Sequence, residues 1–331
     1  MARALRRHGV TKVGDAPLPR WTVQASLRTM DLYDIQTAIA SLSAPGVYFG
    51  DLREARDLAR ASNEFSAGMA ADHPDRFGWF AVLPMPFTDA ACAEAIHALD
   101  VLKADGVVLL GNTEGVFLGD PRLDELMAEL DCRAAVVFVH PNLHRTSTEL
   151  DLATPGYLVE FLCDTTRAAT NLILTGTLER HPRIRWILAH AGGFLPYIAW
   201  RLSLANDQPK LAKAIPKGVL HHVRSFYFDT ALSPSPYVMA ALRELVDPSH
   251  ILFGSDYPFA PARAVGMQVK ALEELKIFDA ETKAGVDRDH ALALFPRLAA
   301  LPPASPAGLG VRLKRVVIKP VDDLAERLRD R

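Results

Sequence analysis

The chain has 331 residues, 49% of them hydrophobic and 23% charged, which excludes a disordered, collagenous or coiled-coil protein. Lysine and arginine (37) almost balance aspartate and glutamate (39), leaving a net charge of −2 and no electrostatic footprint for nucleic acid or an anionic membrane. No apolar run approaches the roughly 18 residues of a membrane span, and the basic stretch at 1–14 is not followed by the apolar core of a signal peptide. Cys92, Cys132 and Cys163 are odd in number and widely spaced, so free thiols and a cytoplasmic setting are expected.

In chain order, residues 3–8 are helical in character, Pro17 and Pro19 mark a turn, and 23–32 predicts a helix. The stretch 9–13 is too short and polar for a core strand. Short apolar runs bounded by turn residues then follow at 37–45 (TAIASLSAP), 76–85 (RFGWFAVLPM), 104–112 (ADGVVLLGN) and 134–142 (AAVVFVHPN). Three more come at 184–193 (IRWILAHAGG), 225–232 (SFYFDTAL) and 251–259 (ILFGSDYPF). Such runs suit parallel strands covered on both faces. Amphipathic stretches such as 90–102 and 123–130 separate them, with Thr88 expected as a cap and Asp120–Pro121 and Asp247–Pro248 as helix starts.

Strict β–α alternation implies a parallel sheet with right-handed crossovers. Such a sheet is doubly wound or closed into a barrel; the absence of a glycine-rich dinucleotide loop or P-loop weakens the first, and the length of 37–299 favours an α/β protein of the (β/α)8 TIM-barrel type. Its expected parts are an N-terminal helical and turn segment (1–36), the barrel domain (37–299) and a linker with a strand–helix tail (300–331). Seven strand candidates are found where a closed barrel needs eight. The first strand is missing or replaced on this reading. The run 311–319 (VRLKRVVIK) is one candidate for its slot, and a docked appendage is the plainer account.

Barrel chemistry sits at the carboxyl ends of the strands, and this rule sorts the eleven histidines. His140 ends VVFVH, His190 ends WILAH, and Asp256 lies at the same level of the last run. His73 and His181 precede strands and belong to the opposite face. His144 reads as a loop residue, and the pair at 221–222 as solvated. Two imidazoles and a carboxylate at one mouth form a ligand set suited to Zn²⁺ or a similar ion. Gly192–Gly193 would let a ligand approach the backbone, although a plain turn explains the pair equally well. Phe194, Trp200, Tyr257 and Phe259 could flank a flat ligand or simply belong to the core.

VFVHP (137–141), ILAHAGGFLPY (187–197), YFDTA (227–231) and ILFGSDYPF (251–259) resemble the signature segments of amidohydrolase-related decarboxylases, such as the aminocarboxymuconate-semialdehyde, γ-resorcylate and 6-methylsalicylate decarboxylases. WTVQASLRTMD (21–31), AVLPM (81–85) and ETKAGV (281–286) extend the resemblance over about residues 15–299. It implies a metal-dependent hydrolase fold and non-oxidative decarboxylation of a small aromatic or muconate-type acid. His140 and Asp256 would be metal ligands, His190 and Asp256 the acid–base groups, and Arg28 and Phe194 would contact substrate. Ser26 is another candidate near Arg28. The implied cofactor is a divalent ion, zinc first and manganese second, and the implied assembly is a homodimer.

The family's first strand carries a His-x-His or Glu-x-His pair, which has no counterpart near the start of this sequence, and His290 stands where asparagine is usual. Weak metal occupancy and a truncated or catalytically impaired copy are therefore one expectation. Hydrolysis of a lactone or amide on the same constellation is another.

Overall fold

The computed structural model describes residues 1–150 and 153–301, so the tail strand expected at 311–319 lies outside the described residues. All seven predicted runs form strands: β1 (Ala38–Ala40), β2 (Phe77–Val82), β3 (Gly106–Leu110), β4 (Val136–His140), β5 (Arg185–Leu188), β6 (Tyr227–Asp229) and β7 (Ile251–Leu252). They pair in parallel and in sequence order, forming a curled sheet with helices on its outer face. This is the (β/α)-barrel arrangement. Among the described residues, β1 and β7 each have one strand neighbour, and the eighth position holds no strand.

The strand period of two separates two cores. Trp79, Ala81, Val107, Leu109, Val137, Val139, Trp186, Leu188 and Phe228 face outward, against helices that include Asp124–Cys132 and Glu160–Leu174. Phe80, Val82, Val108, Val136, Ile187 and Leu252 face inward, where they meet Leu294, Phe295 and Leu298 from the end of the described chain. The ring of Phe80 lies 5.7 Å from that of Phe138 and 5.9 Å from that of Phe295. In β4 the parity that turns Val136 inward also sets His140 at the inner rim.

The sheet edges are covered by side chains and by helical backbone. Beside β7, Phe253 N–H donates to Val286 O at 3.0 Å, and His290 Nδ1–H donates to Ile251 O at 3.0 Å. Beside the upper part of β2, Asn63 imitates a strand: Val82 N–H donates to its Oδ1 and its Nδ2 donates to Val82 O, both at 2.9 Å. Unpaired strand groups are thus satisfied where pairing stops.

Before the sheet come the helices Ala2–Arg7 and Val23–Leu32, with a small hairpin, Lys12–Val13 against Ala16–Pro17, between them. The Pro17 region is therefore the second arm of a hairpin. Thr88 does not cap its helix: Phe87 holds the cap position, and Thr88 Oγ1 donates to Arg122 O. The helix expected at 90–102 is α-helical over Thr88–Ile96 and widens into a π turn at His97–Val101. Pro121–Leu123 and Pro248–His250 are 3₁₀ turns capped by Asp120 and Asp247. Cys92, Cys132 and Cys163 are free thiols, and no helix among the described residues is long and apolar enough to cross a membrane.

Candidate active site

His140, His190 and Asp256 meet at the carboxyl ends of β4, β5 and β7, each offering one ligand atom, with all three atoms within 4.8 Å of one another. His140 Nε2 stands 3.9 Å from Asp256 Oδ1, and the two imidazole centroids are 5.7 Å apart. Both histidines are buried. His140 Nδ1–H donates to Pro141 O at 2.8 Å and His190 Nδ1–H to Ala231 O at 3.2 Å. A backbone carbonyl can only accept, so these bonds leave each Nε2 with its lone pair available. Two such nitrogens and a carboxylate oxygen form a donor set that fits Zn²⁺ or Mn²⁺.

The backbone is strained at the site. His190 (φ 55°), Ala191 (φ 56°) and Asp256 (φ 56°) are all left-handed without being glycine, at about 1–3 kcal/mol each. Surrounding bonds hold them there. His190 N–H donates to Asp229 Oδ1 at 2.7 Å, and Ala231 N–H donates to the same oxygen at 3.0 Å. Asp256 O accepts from Ala260 N–H at 2.8 Å. Buried Gln268 ties the two loops together, its Oε1 accepting from Leu232 N–H at 2.6 Å and its Nε2 donating to Ser255 O at 3.0 Å.

A second buried carboxylate braces the loop that follows His140. Asp164 Oδ1 accepts from Asn112 Nδ2 at 2.6 Å and Oδ2 from Asn142 N–H at 2.9 Å, which joins the loops that follow β3 and β4. Burial pushes its carboxyl up to about 6, against the lowering effect of those two bonds and of Arg167 and His140. Burial likewise raises the Asp229 carboxyl, opposed by His190. Asp229 ends β6 where His140 ends β4, so the strand-end rule could have found it. Asp164 lies in mid-helix and carries no comparable signal in the sequence.

The other expected residues contribute no atom to the His140–His190–Asp256 ligand group. Arg28 is exposed on the helix Val23–Leu32, outside the His140–His190–Asp256 cluster, while Ser26 is buried and accepts from Trp21 Nε1 at 2.7 Å. Phe194 is part-exposed at the start of the helix Leu195–Leu202, its N–H donating to Thr166 Oγ1. Trp200 faces solvent, and Phe259 packs with the N-terminal hairpin, so the four aromatics do not gather into one wall. The space at Gly192–Gly193 is taken by the protein itself, since Cβ atoms there would lie 2.6 Å from the Phe228 ring and 2.4 Å from Leu162 O. His144 caps the helix Arg145–Glu149 and stacks on Phe117. His222 is buried rather than solvated: its helix turns it inward, and Nε2 lies 2.9 Å from Glu179 Oε1.

Taken together, the curled parallel sheet and the imidazole–carboxylate cluster at its carboxyl edge define a (β/α)-barrel enzyme with a candidate metal centre. A family profile described as amidohydrolase matches residues 22–297. The chain is 37% identical over 294 residues to decarboxylase yanB of Aspergillus niger, spanning 85% of this chain and 80% of that protein. It is 35% identical over 302 residues to the 6-methylsalicylic acid decarboxylase of Penicillium expansum, spanning 88% and 93%. Among solved structures, an amidohydrolase II superposes with a TM-score of 0.83 at 33% identity over 89% of this chain and 95% of that one. A 2,6-dihydroxybenzoate decarboxylase complexed with 2,6-dihydroxybenzoate gives 0.77 at 25% over 89% and 96%. The fold is shared at 23% identity with a dihydroxybenzoic acid decarboxylase from Polaromonas sp. holding manganese and 2-nitroresorcinol (TM-score 0.75, 85% and 87% covered). The chain belongs to the amidohydrolase family. Its relatives' names place it among the carboxy-lyases of that superfamily.

Proposed function

We propose that this protein is a metal-dependent, non-oxidative decarboxylase of a small aromatic hydroxy acid of the salicylate or resorcylate type. The observation that carries this reading is the convergence of His140, His190 and Asp256, with both Nδ1 atoms tied away from the site. The decarboxylase names of the relatives favour it over hydrolysis of a lactone or amide. Three protein ligands is the usual complement of a catalytic zinc site, which favours a competent enzyme over an impaired copy.

A divalent ion held by His140, His190 and Asp256, zinc or manganese, would supply Lewis-acid anchoring for the carboxylate and its neighbouring hydroxyl. The other steps fall to the chain. Asp256, whose second carboxylate oxygen is not needed to hold the ion, delivers a proton to the ring carbon bearing the carboxylate, while His190, its Nδ1–H held by Ala231 O, keeps Nε2 on the ion. The bond from that carbon to the carboxylate then breaks, its electron pair restores the aromatic ring, and carbon dioxide leaves. Asp229 holds the His190 backbone, Asp164 holds the loop beyond His140, and Phe194 supplies an apolar flank. Arg28 remains a candidate carboxylate contact from the exposed helix Val23–Leu32.

A homodimer and a cytoplasmic setting belong to this reading. Tyr197, Trp200 and Leu204 face solvent at 89%, 79% and 58% along one helix and its continuation, and Tyr237, at 85%, lies on a neighbouring helix. At roughly 150–250 Å² per aromatic side chain, this face approaches the area of a standard interface, about 800 Å² per partner.

The test is incubation of the metal-loaded protein with 6-methylsalicylate and 2,6-dihydroxybenzoate in D₂O. Carbon dioxide release with one deuteron at the vacated ring carbon is expected. No release from either acid contradicts the reading.

A further inference from the structure

The hairpin between Val10 and Leu18 lies outside the sheet, yet it packs on the barrel mouth. Val13 is buried in one apolar cluster with Ala44 and Phe161, against which Leu110, Leu143 and Phe259 also pack. Leu110 ends β3, Leu143 lies three residues beyond His140, and Phe259 three beyond Asp256. One small hairpin thus touches the rims of several strands. At its tip Gly14 and Asp15 are left-handed (φ 57° and 70°), and a Cβ on Gly14 would come within 2.8 Å of Phe161 Cζ. The Phe161 ring in turn stands edge-on to the His140 ring, 6.0 Å between centroids. Hairpin backbone, Phe161 and His140 form one continuous stack.

Two hydrogen bonds fasten the tip: Gly156 N–H donates to Asp15 Oδ2 and Tyr157 N–H to Gly14 O, each at 2.9 Å. On one side the hairpin continues through Gly9, which has a left-handed φ of 67° and no atom within 4 Å of where a Cβ would sit. Before Gly9, the helix Ala2–Arg7 is anchored by Arg7 and His8 to Glu54, with His8 stacked on Phe49. The hairpin therefore has a tethered base, a permissive joint and a polar latch at its tip.

We propose that this hairpin is a lid over the barrel mouth, latched by Asp15 to the backbone of Gly156, and that it must lift before a small acid can reach His140. Its role in admitting substrate rests on the decarboxylase reading. The lid itself rests on packing alone. Lids of this kind gate entry and exclude water once closed.

The test reads access to His140 without turnover. Carbethoxylation of His140 by diethyl pyrocarbonate is followed by mass spectrometry in the full chain, with exposed His221 as internal reference. Asp15→Gly keeps the backbone conformation and removes the latch, and should speed His140 labelling about fivefold or more relative to His221. In a Cys132→Ser, Cys163→Ser background, Asp15→Cys with Gly156→Cys is bridged by a short cleavable thiol linker. Labelling should then slow by a similar factor and recover when the linker is cut. Equal His140 rates in the wild type, the unlatched variant and the bridged variant would overturn the lid. With 2,6-dihydroxybenzoate as probe, turnover should stop in the bridged protein and resume on cleavage. If labelling follows the latch while no form decarboxylates any aromatic acid, the lid stands and the decarboxylase reading falls.

Discussion

The carboxylate of Asp229 accepts the backbone N–H of His190 at 2.7 Å, and this bond holds His190, a candidate metal ligand, in a left-handed conformation. Asp229 Oδ1 also accepts from Ala231 N–H, whose own carbonyl receives His190 Nδ1–H. Backbone and ring of His190 are thus set by one short segment of β6 and its exit. Gly254 packs against this carboxylate, leaving a Cβ there only 2.8 Å from it. Replacing Asp229 with alanine orphans two buried N–H groups, at about 1–3 kcal/mol each. Asp229→Ala is expected to lower the melting temperature and to weaken zinc binding, whereas Asp229→Asn, which keeps an acceptor oxygen, should recover most of both. Calorimetric titration with zinc alongside thermal unfolding checks this.

Asn63 makes three buried hydrogen bonds, two to Val82 and one from Nδ2 to Glu94 Oε1 at 2.8 Å. It covers the strand edge where β1 stops and leaves Glu94 paired with Arg60. Asn63→Ala should therefore cost about 2–4 kcal/mol, since it opens the strand edge and removes a partner of a buried carboxylate. Denaturant unfolding measures it, and a loss below about 0.5 kcal/mol would mean that the edge needs no cover.

The strands were legible because parallel strands covered on both faces read as unbroken apolar runs. Their exits, such as 253–259, were read as strand although left-handed residues and turns take over there. His140, His190 and Asp256 were legible from position at strand ends. Asp164 was not, because its partners Asn112 and Asn142 are distant in sequence and nothing local marks a carboxylate inside an amphipathic helix. His222 was misread for a similar reason: its burial depends on Glu179, 43 residues away. Nor could the sequence around Val13 disclose a place over the mouth, since Phe161 and Phe259 reach it only through the closed fold.

Asp164 gives a pH dependence with a definite sign. Its folded-state pKa, raised to about 6 from the usual 3.8, means that the folded protein holds a proton the unfolded chain has released. The stability this contributes is fully present below about pH 4 and is lost as pH rises through 6, by about 3 kcal/mol in all. Comparing wild type with Asp164→Asn between pH 4 and 7.5, the wild type should lose ground as pH rises. Wild-type stability minus that of Asp164→Asn staying flat or rising over this range would contradict the assignment.

The central claim is that His140, His190 and Asp256 act together as one metal-holding reaction centre. The direct measurement is zinc and manganese affinity of the full chain against His140→Ala, His190→Ala and Asp256→Asn, with carbon dioxide release from 2,6-dihydroxybenzoate followed in the same preparations. The account predicts one bound ion per chain in the wild type, affinity down at least tenfold in each variant, and turnover lost in parallel. Wild-type affinity retained in all three variants would contradict it.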